Sequence, residues 1–243
     1  MTSGIAPTAA ISFRGVSKRY GRSPALQSLD LQVSAGATVG VIGANGAGKT
    51  TLIKCLLDFC DYDEGGIEIF GIPSQQVAAR RRLAFLPERF SPPYYLSGGD
   101  FLRFMARMYG ARFDLANTLE TLDALDLAHK ALDKPVRDFS KGMTQKLGLA
   151  ACLMSGRELL VLDEPSSGLD PKAGALFKRA LAHARASGRT VFLTSHALAD
   201  VSELCDEIAV LHDGGLRFVG APAKLIERHG VADLEQAYLA CIA

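Results

Sequence analysis

The chain has 243 residues, 48% of them hydrophobic, enough to bury the core of one large α/β domain without covalent staples. Its 27 basic and 26 acidic side chains leave a formal charge of +1, so no long-range field draws it to nucleic acid or to an anionic bilayer. Five cysteines without a C-x-x-C pair suit free thiols in a reducing compartment; with neither a leader-like N-terminus nor an unbroken run of about 18 apolar residues, the chain is expected neither to be secreted nor to insert in a membrane by itself.

Short β-type runs open the chain at Ala10 to Arg14, Leu29 to Val33 and Thr38 to Ile42, with Gly36 in the turn before the last. They predict a small sheet leading into a buried strand. A helix is expected from about Gly48 to Asp58, and strands at Ile67 to Phe70 and Leu83 to Leu86, after which Pro87, Pro92 and Pro93 close this first part. From Gly98 to Ser155 apolar residues recur at helical spacing, as in Phe101, Phe104, Met105 and Met108, or Leu115, Leu119, Leu122 and Leu125. This reads as an inserted helical lobe. Apolar strands at Leu159 to Leu162, Val191 to Leu193 and Ile208 to Leu211 then alternate with helices from about Pro171 to Ala186 and Leu198 to Cys205, the pattern of a largely parallel sheet. Two short helices around Gly230 end the chain. A single domain over 1–243 is expected, with a β lobe and loop-bearing core in 10–93, a helical subdomain in 94–155, returning core in 156–220 and a helical tail in 221–243.

Gly43-Ala44-Asn45-Gly46-Ala47-Gly48-Lys49-Thr50, followed by Thr51, fits G-x-x-x-x-G-K-[ST] and stands between an apolar strand and a helix start. A phosphate chain needs inward-turned N–H groups, which glycines permit, and the helix N-terminus adds its positive end. Lys49 would then hold β- and γ-phosphates and Thr50 a magnesium ion. Leu159 to Glu164 is an apolar strand ending in two carboxylates, where an open α/β sheet places its ligand. Asp163 suits the metal, and Glu164 is the natural general base for an attacking water.

With Phe139-Ser140-Lys141-Gly142-Met143 at a helix start, Ser167-Gly168-Leu169-Asp170 after the carboxylates and His196 after a strand, the sequence resembles the ABC transporter ATPase family over about residues 11 to 220. The resemblance implies a P-loop NTPase (RecA-like) core with a small antiparallel β lobe and an inserted α-helical subdomain, and a Mg2+-dependent ATPase. Ser140 and Gly142 correspond to the family signature, which grips the γ-phosphate held by the opposite subunit of a head-to-tail dimer. Lys141 and Met143 depart from the usual Gly and Gln. Ser140 is also simply a good helix cap. His196 corresponds to the switch histidine, and Asp170 to the loop along the dimer interface or, in a competing role, a cap before Pro171. Tyr20 matches the aromatic that stacks on adenine, or is a packing tyrosine. Glu88 stands where the family usually has Gln near the metal; it can ligate magnesium, face the partner or lie on the surface.

The resemblance further implies a homodimer or pseudo-dimer, a separate transmembrane permease and a place on the cytoplasmic face of the membrane. Nucleic-acid partners are not expected. The Leu-Pro-Glu88 and Ser-Lys-Gly-Met143 variants look most like the ABC-2 type export branch. A soluble ABC ATPase of DNA repair, translation or cluster assembly is the alternative.

Overall fold

The computed structural model describes residues 9–243, so the leader-free reading of the N-terminus lies partly outside the described residues. Strands β1 (Ala9–Tyr20) and β2 (Ser23–Ser34) form an antiparallel hairpin turned by Gly21-Arg22, with Gly21 at φ +59°, as a two-residue turn favours. Both strands run well past the expected limits. Lys18, Arg19 and Tyr20 read as loop by hydrophobicity, yet their cross-strand pairing carries the ladder to the turn. Leu26, Leu29, Leu31 and Val33 of β2 face inward while the polar residues between them face water.

Next come β3 (Thr38–Ile42), α1 (Lys49–Leu56), β4 (Glu64–Ile69), β5 (Ile72–Pro73), α2 (Val77–Arg80) and β6 (Leu83–Leu86). β4 and β5 extend the hairpin into a four-stranded antiparallel sheet of order β2-β1-β4-β5. The helical lobe follows as α3 (Gly98–Met108), α4 (Leu115–Ala124), two short 3-10 turns and α5 (Lys141–Met154). Ser97, Asp114 and Ser140 cap the three α-helices through their side-chain oxygens.

The chain then returns through β7 (Leu159–Asp163), α6 (Pro171–Ala186), β8 (Thr190–Ser195), α7 (Leu198–Leu204) and β9 (Glu207–His212), and ends in β10 (Gly215–Gly220), α8 (Pro222–His229) and α9 (Leu234–Ile242). The second sheet has the order β10-β9-β3-β8-β7-β6, parallel except for β10. Strands β3, β7 and β8 are buried throughout, which explains their unbroken apolar runs. β10 was not expected from the sequence. It is a half-exposed edge strand with weak alternation, reached through Asp213-Gly214, both in the left-handed region at φ +48° and +76°.

α1 lies between the sheets, where Leu52, Ile53 and Leu56 join Ile11, Phe13, Val39, Phe192 and Leu211 in one core. A second core sits on the other face of the parallel sheet and takes in α3 to α6, with Leu225, Leu234 and Ala237 from the last two helices. The architecture is α/β, with an antiparallel lobe and a helical insertion. No helix among the described residues is long and apolar enough to cross a membrane.

Candidate functional site

Strands β3, β7 and β8 are neighbours in parallel register, so their C-terminal ends share one edge of the sheet. That edge brings together the glycine loop after β3, Asp163 and Glu164 at the end of β7, and His196 after β8, the place where an open α/β sheet binds its ligand. They face a cleft of about 640 Å³ that Tyr20, Ala44, Asn45, Gly46, Gly48, Lys49, Thr50, Thr51 and Glu88 also line.

The loop's glycines are sterically required. A Cβ on Gly43 would stand 2.3 Å from the Leu211 carbonyl oxygen, and one on Gly48 would stand 2.5 Å from that of Ala25, with Gly48 already at φ +112°. Any side chain at either position would push the loop off the strands beneath it. Gly43 and Ala47 do not face the cleft; Ala47 is buried in the core between the sheets. The Lys49 ammonium donates to the carbonyls of Gly43 at 2.6 Å and Ala44 at 3.3 Å. It has three donors, so one N–H is left over for an anion.

Glu164 is the centre of the polar network. One carboxylate oxygen, Oε1, lies 3.7 Å from the Lys49 ammonium, and the other accepts from the His196 backbone N–H at 3.2 Å and sits 2.7 Å from His196 Nδ1. A carboxylate oxygen accepts, so this contact is a hydrogen bond in the tautomer whose Nδ1 carries the hydrogen. Glu164 also adopts a left-handed backbone at φ +48°, a conformation that costs about 1–3 kcal/mol and recurs at functional sites. Its N–H donates to Thr194 Oγ1 at 2.9 Å, and the same hydroxyl donates to Asp163 Oδ1 at 2.6 Å. Thr194 is fully buried. It ties the Asp163 carboxylate and the Glu164 backbone to β8 and was not singled out in the sequence, where its only mark is its place two residues before His196.

Burial pushes the Asp163 carboxyl above the usual carboxylate range, opposed by the Thr194 hydrogen bond and Lys49 and reinforced by the charges of Glu88 and Glu164. Glu88 is exposed and reaches the cleft from the end of β6. A buried oxygen donor with further carboxylates and the Thr50 hydroxyl around it is the donor chemistry that a hard divalent cation takes. The glycine loop, Lys49 and the start of α1 fit a phosphate chain equally well.

Tyr20 stands half-exposed at the mouth of the cleft, with the Lys18 ammonium 5.5 Å from its ring centroid. Ser140, Gly142 and Asp170 do not line this cleft. Ser140 Oγ accepts from the Met143 N–H at 3.2 Å, and Asp170 Oδ1 from the Ala173 N–H at 2.9 Å, so within one chain both act as helix caps. Ser167, which opens the motif that ends in Asp170, does line the cleft, as do Ser23, Pro24 and Ala25 of the hairpin, three residues that the sequence did not mark.

A family profile described as ABC transporter matches residues 26–167. The Nod factor export ATP-binding protein I of Burkholderia lata is 36% identical over 238 residues, 96% of this chain and 77% of that protein. The daunorubicin resistance ATP-binding protein DrrA3 of Streptomyces coeruleorubidus is 39% identical over 220 residues, covering 89% and 69% of the two chains. Among solved structures, an ATP binding subunit of an ABC transporter superposes with a TM-score of 0.87 at 28% identity, over 96% of this chain and 99% of that one.

Proposed function

We infer that this chain, which belongs to the ABC transporter family as an ATP-hydrolysing, nucleotide-binding subunit, drives export through a separate membrane permease. The observation that carries the reading is the convergence of Lys49, Asp163, Glu164 and His196 on one sheet edge. The export direction is supported by relatives that are named for Nod factor export and for daunorubicin resistance. Those names also favour a transport role over the soluble alternative.

In the proposed reaction the loop N–H groups and Lys49 bind the β- and γ-phosphates, and Thr50 and Asp163, with Glu88 at the rim, hold Mg2+. The ion, when bound, neutralises charge that develops on the phosphate oxygens. Glu164 takes the proton of the attacking water through the oxygen that His196 does not occupy. His196 fixes one oxygen of the carboxylate by its two contacts and itself lines the cleft. Tyr20 at the cleft mouth stacks on adenine.

Ser140 caps α5 and Gly142 lies in its first turn, outside their own chain's cleft; in the dimer of this reading they and Asp170 complete the site of a second copy. A groove of about 590 Å³ bounded by Glu88, Phe90, Tyr94, Arg137, Phe139 and Lys141 supports docking of permease segments, which would hold the chain at the cytoplasmic membrane face. Dimer formation tests the reading. With Mg2+ and a non-hydrolysable ATP analogue the chain should elute from gel filtration as a dimer, and with ADP as a monomer. A monomer under both conditions would contradict the shared site.

A further inference from the structure

The last turn of α1 ends in a tight reversal. Asp58 takes the left-handed conformation at φ +60°, and the Phe59 N–H donates to the Lys54 carbonyl at 2.8 Å, the closure that a helix C-terminus uses to fold the chain back. It returns Cys60 to the side of Cys55, and the two sulfur atoms lie 3.6 Å apart. Cys55 is buried, and Cys60 is partly exposed.

The surroundings differ for the two thiols. Burial pushes the Cys55 thiol up to about 12, so alone it is inert. Cys60 accepts a hydrogen bond from the Tyr20 hydroxyl at 3.7 Å, and the Lys18 ammonium sits over the Tyr20 ring next to it. A partly exposed sulfur with a second thiol 3.6 Å away has the arrangement of an oxidisable pair. Cys55 lies one helical turn beyond Thr51, which lines the nucleotide cleft, and Tyr20 lines it too.

We propose that Cys55 and Cys60 are a peroxide-sensitive thiol pair whose intrachain disulfide weakens ATP binding by disturbing Tyr20. The Cys60 thiolate attacks one oxygen of a hydroperoxide, the O–O bond breaks, and the product is a Cys60 sulfenic acid with an alcohol or water leaving. The Cys55 sulfur then attacks the sulfenic sulfur, the S–S bond forms and water leaves. The pair loses two electrons and two protons, and the peroxide gains them. Closing from 3.6 Å to the bonded distance of about 2.05 Å draws the more exposed Cys60 toward α1 and away from the Tyr20 hydroxyl. The chemistry at sulfur stands by itself, whereas its effect on affinity rests on the ATP-site reading above.

The test treats the purified chain with hydrogen peroxide, alkylates the remaining thiols after denaturation, and reads intact mass and peptide map. The expected result is the loss of two hydrogens confined to the Cys55–Cys60 peptides, reversed by dithiothreitol. The oxidised chain should bind a fluorescent ATP analogue about fivefold more weakly, the low end of one base-stacking contact. Cys60→Ser and Cys55→Ala should each lose the response to peroxide, whereas Cys241→Ser should keep it. A different cysteine pairing, a cross-linked dimer, or added oxygen without a disulfide would overturn the pair. A clean disulfide with unchanged affinity would overturn its link to the nucleotide. Reduced protein unable to bind ATP would instead refute the ATP site, while the peptide map still decided the thiol chemistry.

Discussion

Replacing Thr194 with valine keeps the shape of a fully buried side chain and removes one hydroxyl that serves two partners. The hydroxyl donates to Asp163 at 2.6 Å and accepts the Glu164 N–H at 2.9 Å. A hydrogen bond to a charged group contributes about 1.5–3 kcal/mol, and a buried N–H left without a partner costs about 1–3 kcal/mol. Together these give a loss of about 2.5–6 kcal/mol for Thr194→Val, a large part of a stability of about 5–15 kcal/mol. With a urea slope of about 3 kcal/mol per molar, the unfolding midpoint should fall by about 1–2 M. Turnover should fall as well, since the bond that holds Glu164 in its left-handed conformation is gone. Thr194→Ser keeps the hydroxyl and should recover most of both. A valine variant within about 1 kcal/mol of wild type and with normal turnover would refute the role given to this hydroxyl.

Asp163→Asn tests the metal site through stability. Burial and the neighbouring negative charges raise the Asp163 carboxyl in the folded chain, so the fold binds that proton more tightly than the unfolded chain does. Its stabilising effect is complete below the ordinary carboxylate range and is lost as pH rises through the folded value. Ionised Asp163 therefore costs stability at pH 7. In metal-free buffer the Asn variant should melt higher than wild type at pH 7, with the gap narrowing in acid, and it should lose the tightening of ATP binding by Mg2+. A lower melting temperature at pH 7 would contradict this. Gly142→Asp should fold normally, because a Cβ there meets only the Gly168 carbonyl oxygen at 3.5 Å. It should bind ATP as wild type does, yet hydrolyse none, since its carboxylate would face the partner's γ-phosphate; turnover retained in a phosphate-release assay would reduce Ser140 to Met143 to a helix cap.

The fold was legible where composition and period agreed. The unbroken apolar runs of β3, β7 and β8 announced a parallel sheet buried on both faces, and the helical spacing of Phe101 to Met108 announced the inserted lobe. β10 was hidden because an edge strand that is half in water has no strong alternation, although Asp213-Gly214 carried a hairpin signal. The polar ends of β1 and β2 were hidden because backbone pairing, not side-chain burial, holds them in the sheet. In the site, the glycine loop and the strand-end carboxylates could be placed from local sequence, since each sits at the end of its own strand. Thr194 could not, because its value depends on β8 lying next to β7. The left-handed backbone of Glu164 and the approach of Cys60 to Cys55 likewise arise only when the chain is folded.

The most direct measurement is the turnover of Glu164→Gln beside its ATP affinity, taken on one preparation. The substitution keeps the side chain's shape and its contact range to His196 but removes the base. Lys49, Thr50 and Asp163 are untouched, so ATP should bind as well as before or better, with one negative charge fewer beside the triphosphate. Phosphate release should fall by roughly a hundredfold to ten-thousandfold, the range for loss of a general base, and the ATP-loaded dimer should persist on gel filtration. Normal phosphate release from this variant would show that Glu164 is not the base, and would move that role to His196.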